Sequence, residues 1–324
     1  MSPGHFQILS LDGGGVKGLF SAALLAKLEE DSGASIADHF DLIAGTSTGG
    51  LIALALGAGM KPREIVEFYL RDAPAIFADA TGVKKLRQLW APKFSAGPLQ
   101  RAVKERFGER TLADSAKRLV VPSYNLADDD VYLFRTPHHK RLKRDSRVAM
   151  WRVAMATTAA PTYFEAFRGV DRIPLADGGL YANNPSMVAI VEAMGTLEVP
   201  QTDIRLLSLG TTQPIKRGTR LARGGLCTWA LPSTEVLLRG QGLCATNQAR
   251  HLIGVERVMR LDPIVPDSAF QLDRLNVNEL LAMAAHESRK ACPEFEAKFR
   301  THVAPAYRPL HEAETHDAFH AASL

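Results

Sequence analysis

Apolar and polar positions fall into short blocks of two kinds along the first two-thirds of the chain. Phe6-Gln7-Ile8-Leu9-Ser10-Leu11 is a brief, mostly apolar run, as expected for a strand buried on both faces. A glycine-rich stretch follows without a spacer, and then Leu19 to Glu30, whose apolar residues recur at helical spacing. The pattern repeats. It predicts strand 5–11, helix 17–31, strand 41–46, helices 48–59 and 63–78, and a mixed region at 82–116. Strands at 118–124 and 131–134 then flank a polar Asp128-Asp129-Asp130 turn. A helix at 148–158, a strand at 204–210, helices within 235–252 and 280–299 and a strand within 255–261 complete the prediction. Strands alternating with helices imply an α/β fold with a mainly parallel sheet covered on both faces.

One block is apolar for longer than the others. Leu42 to Met60 contains no charged residue and is long enough to raise the question of a membrane span. Gly45-Thr46-Ser47-Thr48-Gly49-Gly50 interrupts it, so it is read as a buried strand, a sharp turn and a buried helix. The 324 residues suit one large domain at 1–302, with core motifs in 5–210 and a helical embellishment at 211–302. Residues 303–324, polar and His-rich, are expected to form a loosely ordered tail.

Three glycine turns carry the candidate chemistry. Gly45-Thr46-Ser47-Thr48-Gly49 fits G-x-S-x-G between a strand and a helix, where a serine is held exposed at a strained turn. Asp12-Gly13-Gly14-Gly15-Val16-Lys17-Gly18 frees successive backbone N–H groups at a helix start, which makes an anion site. Ala176-Asp177-Gly178-Gly179 delivers a carboxylate into a loop after a short apolar run. Each has a plainer reading. Gly13, Gly15 and Gly18 also fit the dinucleotide fingerprint, or a simple tight turn. Ser47 suits a helix N-cap, and Asp177 suits a turn in which it bonds its own backbone. The fingerprint requires an acid at the far end of the next strand, and Ser47 stands there instead. A hydrolase oxyanion hole accounts for both N-terminal loops, and the three turns together favour it.

In this order and spacing, Asp12-Gly13-Gly14-Gly15-x-Lys17-Gly18, Gly45-x-Ser47-x-Gly49 and Asp177-Gly178-Gly179 resemble the patatin-like phospholipase family. Ala159-Ala160-Pro161-Thr162-Tyr163-Phe164 extends the resemblance, which covers about residues 5–210. It implies a three-layer α/β/α acyl hydrolase that needs no metal or other cofactor. Ser47 would be the nucleophile, Asp177 the base, and the Gly13, Gly14 and Gly15 amides the oxyanion hole. Lys17 stands where the family often has Arg, and is expected to hold the loop. The implied activity is cleavage of fatty acyl esters of membrane phospholipids. Short relatives of this type include bacterial antiphage effectors switched on by a cyclic nucleotide, which makes such an activator an expected partner. Two alternatives stay open. One is a Ser-Asp-His triad esterase using His251 or His286; the other is a non-catalytic nucleotide-binding module built on the glycine loop.

Charge adds a surface to this picture. The net charge is only +4, but basic residues cluster at Arg135 to Arg152, at Lys216 to Arg223, and among apolar residues from Lys84 to Phe94. Such patches suit an anionic lipid surface or a nucleotide phosphate, and also a solvated loop. No nucleic-acid module accompanies them, so no nucleic-acid partner is expected. Asp128-Asp129-Asp130 lacks calcium-loop spacing. Cys227, Cys244 and Cys292 lack metal spacing and read as free thiols. Met1-Ser2-Pro3-Gly4-His5 begins no secretory signal, so a cytoplasmic protein acting peripherally at membranes is expected, and a homo-oligomer is compatible with all of this.

Overall fold

The computed structural model describes residues 5–77, 92–214, 222, 224–229, 232–265 and 277–311. Its strands are β1 (Phe6–Leu11), β2 (Leu42–Gly45), β3 (Arg118–Asn125), β4 (Asp130–Arg135), β5 (Leu175–Asp177), β6 (Ile204–Leu209), β7 (Gln213–Pro214), β8 (Val258–Leu261) and β9 (Ile264–Val265). A seven-stranded sheet runs β4-β3-β2-β1-β6-β8, with β5 also paired to β3, while β7 and β9 form a separate parallel pair. The pairs β1–β2, β1–β6, β2–β3 and β6–β8 are parallel; β4 and β5 run antiparallel to β3. The fold is α/β, with the mainly parallel sheet that the alternation predicts.

The central strands are mostly apolar because their two faces meet two different cores. Leu9, Leu11, Ile43, Leu119, Val121, Leu207 and Leu209 point into one cluster; Ile8, Leu42, Ala44, Val120 and Leu206 point into the other. The first cluster is filled by helices α1 (Gly18–Ser32), α2 (Thr48–Gly57), α3 (Pro62–Ile76), α4 (Ala96–Phe107) and α5 (Met150–Thr157). After the one-turn α6 (Gly179–Ala182), α7 (Ser186–Gly195) covers the opposite face through Ala189, Ile190 and Ala193. Each fully buried Leu, Ile or Phe contributes about 2 kcal/mol of transfer free energy, so the two clusters hold the sheet between its helical layers.

The stretch after Gly210, read from sequence as a helical embellishment, is built into this sandwich. Beyond the short α8 (Leu226–Trp229), α9 (Pro232–Ile253) joins the second cluster through Ala249 and Ile253. β8 pairs with β6, and α10 (Val277–Lys298) buries Leu280, Ala284 and Phe295 in the first cluster. The predicted elements match to within a few residues. Helix α4 lay unassigned inside the mixed region, where Ser95 caps it by accepting from the Gly97 amide (3.3 Å).

Residues 303–311, expected to be loosely ordered, lie against the domain. The Ala304 amide donates to Asp38 O (2.8 Å), the Leu310 amide donates to Pro137 O (2.9 Å), and Arg118 stacks over Tyr307. An extended strap of this kind has no periodicity, so composition alone reads it as a tail. Residues 312–324 and the basic runs at 84–91 and 216–221 lie outside the described residues.

Candidate active site

The site forms where β2 and β5 meet end to end along one edge of β3. β2 pairs with the first half of that edge, ending at Ala44↔Val120, and β5 pairs with the second half, at Ser123↔Asp177. Continuing the β2 register by three residues would bring Ser47 opposite Ser123, the residue that Asp177 faces. Two segments 130 positions apart therefore arrive head to head.

Ser47 sits in the turn between β2 and α2 with φ 54° and ψ −120°. A left-handed backbone at a residue with a side chain costs about 1–3 kcal/mol and persists only where its surroundings impose it. The surroundings are visible. The Ser47 amide donates to Thr157 Oγ1 (2.9 Å), whose hydroxyl donates to Pro122 O (2.7 Å), and Thr46 Oγ1 donates to Ala182 O (2.6 Å). Ser47 occupies the N-cap position of α2, but its side chain makes no capping bond. Its Oγ instead donates to Asp177 Oδ2 at 2.6 Å.

The Asp177 carboxylate makes one hydrogen bond within its own turn and one to Ser47. Oδ1 accepts from the Gly179 amide (2.7 Å), the expected turn, and Oδ2 accepts from Ser47. Burial pushes its carboxyl up from 3.8 to about 6, against the opposing pull of the bonds from Ser47 and Gly179. A carboxylate raised in this way is a better proton acceptor and is still ionised at neutral pH. If it serves as the base, kcat/KM for ester hydrolysis should climb with pH through about 6 and then level off. A profile measured from pH 4.5 to 8.5 that is flat across 6 would contradict that role.

The glycine loop lies beside this pair, held closely on both sides. A β-carbon on Gly13 would stand 3.3 Å from Ser47 Cβ, and one on Gly14 would strike the Thr211 side chain. Gly15 has φ 59°. The three amides differ in what they can do. That of Gly13 donates to Asn183 O (2.9 Å), whereas no described residue accepts from the Gly14 or Gly15 amide. The expected trio is thus reduced to two available donors, because Asn183 uses the first to tie the loop to the Asp177 segment. Asn183 Nδ2 also donates to Gly13 O (3.3 Å), a second tie across the chain, whereas Asn184 Oδ1 accepts from the Ser186 amide (3.0 Å) at the start of α7.

The remaining candidates fall elsewhere. His251 and His286 are exposed, and neither is a hydrogen-bond partner of Ser47 or Asp177, both of whose oxygens are taken. Of the cluster at 135–152, Arg135 and His138 pair with Glu192 (3.2 and 2.9 Å), Arg144 pairs with Asp145 (2.8 Å), and Arg152 donates to Gly169 O (2.9 Å). Lys140, Arg141 and Lys143 remain exposed. Cys244 and Cys292 are free thiols. Among the described residues, no His, Cys, Asp and Glu group is arranged to hold a metal, and no helix is long and apolar enough to cross a membrane.

Sequence reasoning missed two supports. Thr157 holds the Ser47 amide, yet it stood inside a helical pattern with no signal of its own. Asp12 was read only as the start of the glycine motif. Its carboxylate, pushed up to about 6 by burial against the opposing effect of Arg260, is gripped by that guanidinium (2.5 Å).

Comparison with known proteins places the sequence in a family. The sequence family described as patatin-like phospholipase matches residues 9–190, which include the glycine loop, Ser47 and Asp177. A protein of Pseudomonas aeruginosa named cGAMP-activated phospholipase is 33% identical over 315 residues, 93% of each chain. One of the same name from Vibrio cholerae is 31% identical over 89% of this chain and 91% of its own. Patatin-like protein 2 of Arabidopsis thaliana is 33% identical over 60% of this chain and 54% of its own. Among solved structures, VipD from Legionella pneumophila aligns with a TM-score of 0.49 at 12% identity, over 90% of this chain and 67% of that one. With the family match spanning both glycine turns and the Asp177 loop, the chain belongs to the patatin-like phospholipase family of serine hydrolases.

Proposed function

We propose that this protein hydrolyses fatty acyl esters of membrane phospholipids through a Ser47–Asp177 dyad, and that a cyclic nucleotide switches it on. The 2.6 Å hydrogen bond from Ser47 Oγ to Asp177 Oδ2 carries the reading. Asp177 takes the Ser47 proton as Oγ attacks the ester carbonyl. The Gly14 and Gly15 amides receive the charge that develops on the carbonyl oxygen, and Asp177 returns the proton to the leaving alcohol. Water, activated by the same carboxylate, then releases the fatty acid and regenerates the serine.

Several features support a lipid substrate. A cavity of about 130 Å³, lined by Leu99, Met155, Phe164 and Phe167 together with the polar Gln100, Glu165 and Arg168, also borders Ala159, whose carbonyl accepts the Asp177 amide (3.0 Å). Leu180, immediately after the Asp177 turn, is 43% exposed. Gln241 of α9 donates to the Leu180 carbonyl (2.9 Å), and Val236, Leu237 and Leu243 of that helix are exposed as well. Exposed apolar side chains on α9 and on the turn after Asp177 suit peripheral approach to a bilayer.

Labelling with a fluorophosphonate tests the nucleophile without knowledge of the substrate. The wild-type chain should label once and Ser47→Ala should not; equal labelling of both would refute the dyad. The activator rests on the names of the relatives, with the exposed Lys140, Arg141 and Lys143 as cations suited to phosphates. Adding cyclic di- and trinucleotides singly to the protein and phospholipid vesicles should raise fatty acid release at least tenfold for one of them. No response to any would remove the switch and leave the hydrolase intact.

A further inference from the structure

One side chain from beyond the family match reaches the root of the glycine loop. Arg260, on β8, has a side chain only 10% exposed. Its Nη1 donates to Asp12 Oδ1 (2.9 Å) and Ser208 Oγ (2.8 Å), and its Nη2 donates to Asp12 Oδ2 (2.5 Å) and Asp262 Oδ2 (2.8 Å). Asp12 is thus held by both arms of a planar fork, which fixes its orientation as well as its distance. The brace continues. Asp262 Oδ1 accepts from the Thr212 amide (3.2 Å), and the neighbouring Thr211 Oγ1 donates to Gly13 O (3.4 Å).

Three glycines in succession have no side chains with which to pack and the widest backbone freedom of any residue. Their direction must be imposed by what holds them: Asn183 and Thr211 at Gly13, and Asp12 at the root. Asp12 is the residue from which the loop departs, and its own amide is already paired to Leu209 O (2.9 Å). A buried ion pair is poor evidence of stability, since apolar residues of the same volume often do as well; what a fork adds is direction.

We propose that Arg260 is a positioning residue for the oxyanion loop: by clamping Asp12 against the end of β8, it aims the Gly14 and Gly15 amides at the reacting carbonyl. The inference rests on the dyad reading above and assigns a role to a region that carried no motif. Displacing catalytic donors by about 1 Å costs about 10²-fold in rate, and loss of a single donor costs a similar factor or more.

The test uses the full chain, a soluble p-nitrophenyl ester and a fluorophosphonate. Label bound at long times counts competent sites; the rate of labelling and kcat read the loop. In Arg260→Gln both rates should fall about 10²-fold per competent site with KM within about threefold, and Arg260→Lys should recover part of the loss. If Arg260→Gln does not fold, Asp12→Asn tests the same clamp, because Arg260 keeps Asp262 as its counterion; a loss of at least about tenfold in kcat is expected there. Rates within about threefold of wild type in the folded variants, or a loss confined to KM, would overturn the proposal while leaving the dyad standing. Unimpaired labelling of Ser47→Ala would instead bring down the dyad.

Discussion

Asp177→Asn is expected to lower ester turnover by about four orders of magnitude while making the protein more stable at neutral pH. The amide matches the carboxylate in shape and can still accept from the Gly179 amide, so the turn survives. It cannot take a proton from Ser47, and activity goes. Ser47→Ala should cost about as much or more, because it removes the group that bonds to the acyl carbon. The stability change has the opposite sign. Folding raises the Asp177 carboxyl from 3.8 to about 6, so between those values the folded chain binds more protons than the unfolded one. Stability from this group is therefore full below about 4, declines as pH rises, and is lost above about 6. The shift corresponds to about 3 kcal/mol at pH 7, and asparagine avoids that cost. Thermal unfolding should show Asp177→Asn melting several degrees above wild type at pH 8, with the gap closing near pH 4. A variant that is inactive yet less stable at pH 8 would contradict the burial of an ionised base.

Gly49→Ala is expected to be among the most damaging single-methyl additions in the chain. A β-carbon at Gly49 would stand 2.6 Å from the carbonyl carbon of Leu11 and 2.8 Å from the carbonyl oxygen of Asp12. Both are backbone atoms, so no rotamer can relieve the clash. Either α2 or the end of β1 must move, and the end of β1 is the root of the glycine loop. Overpacking against backbone costs about 3 kcal/mol, seen as a fall in Tm of roughly 4–5 °C. The accompanying shift of the loop should cost about 10²-fold in activity. Gly195→Ala is the control: nothing lies within 4 Å of its β-carbon, and the helical position favours alanine. A Gly49→Ala protein with wild-type melting and turnover would mean that α2 and the loop are less tightly apposed than the structure has them.

Much of the fold was legible because the central strands β1, β2 and β6 are mostly apolar on both faces and helices such as α3 follow the helical period. Boundaries at 6–11, 18–32, 48–57 and 204–209 fall within two residues of the pattern's limits. The glycines of the two N-terminal turns were legible as well, since close backbone approach admits no other residue. Other supports left no such trace. Thr157 looks like any helical threonine until β3 and α5 carry it to the Ser47 amide, and Arg260 looks like a surface cation on a weak strand. The strap at 303–311 binds largely through its main chain, which composition does not encode.

The sequence by itself determined the alternation that makes an α/β sandwich, and the three loops in which a serine, an aspartate and bare amides can stand exposed. These are local properties, written in periodicity and in the absence of side chains. Only the tertiary structure decided that β2 and β5 share one edge of β3, that Gly13 spends its amide on Asn183 while Gly14 and Gly15 do not, and that Arg260 grips Asp12. Those outcomes depend on strand register and on pairings across the sheet, and no local pattern contains them.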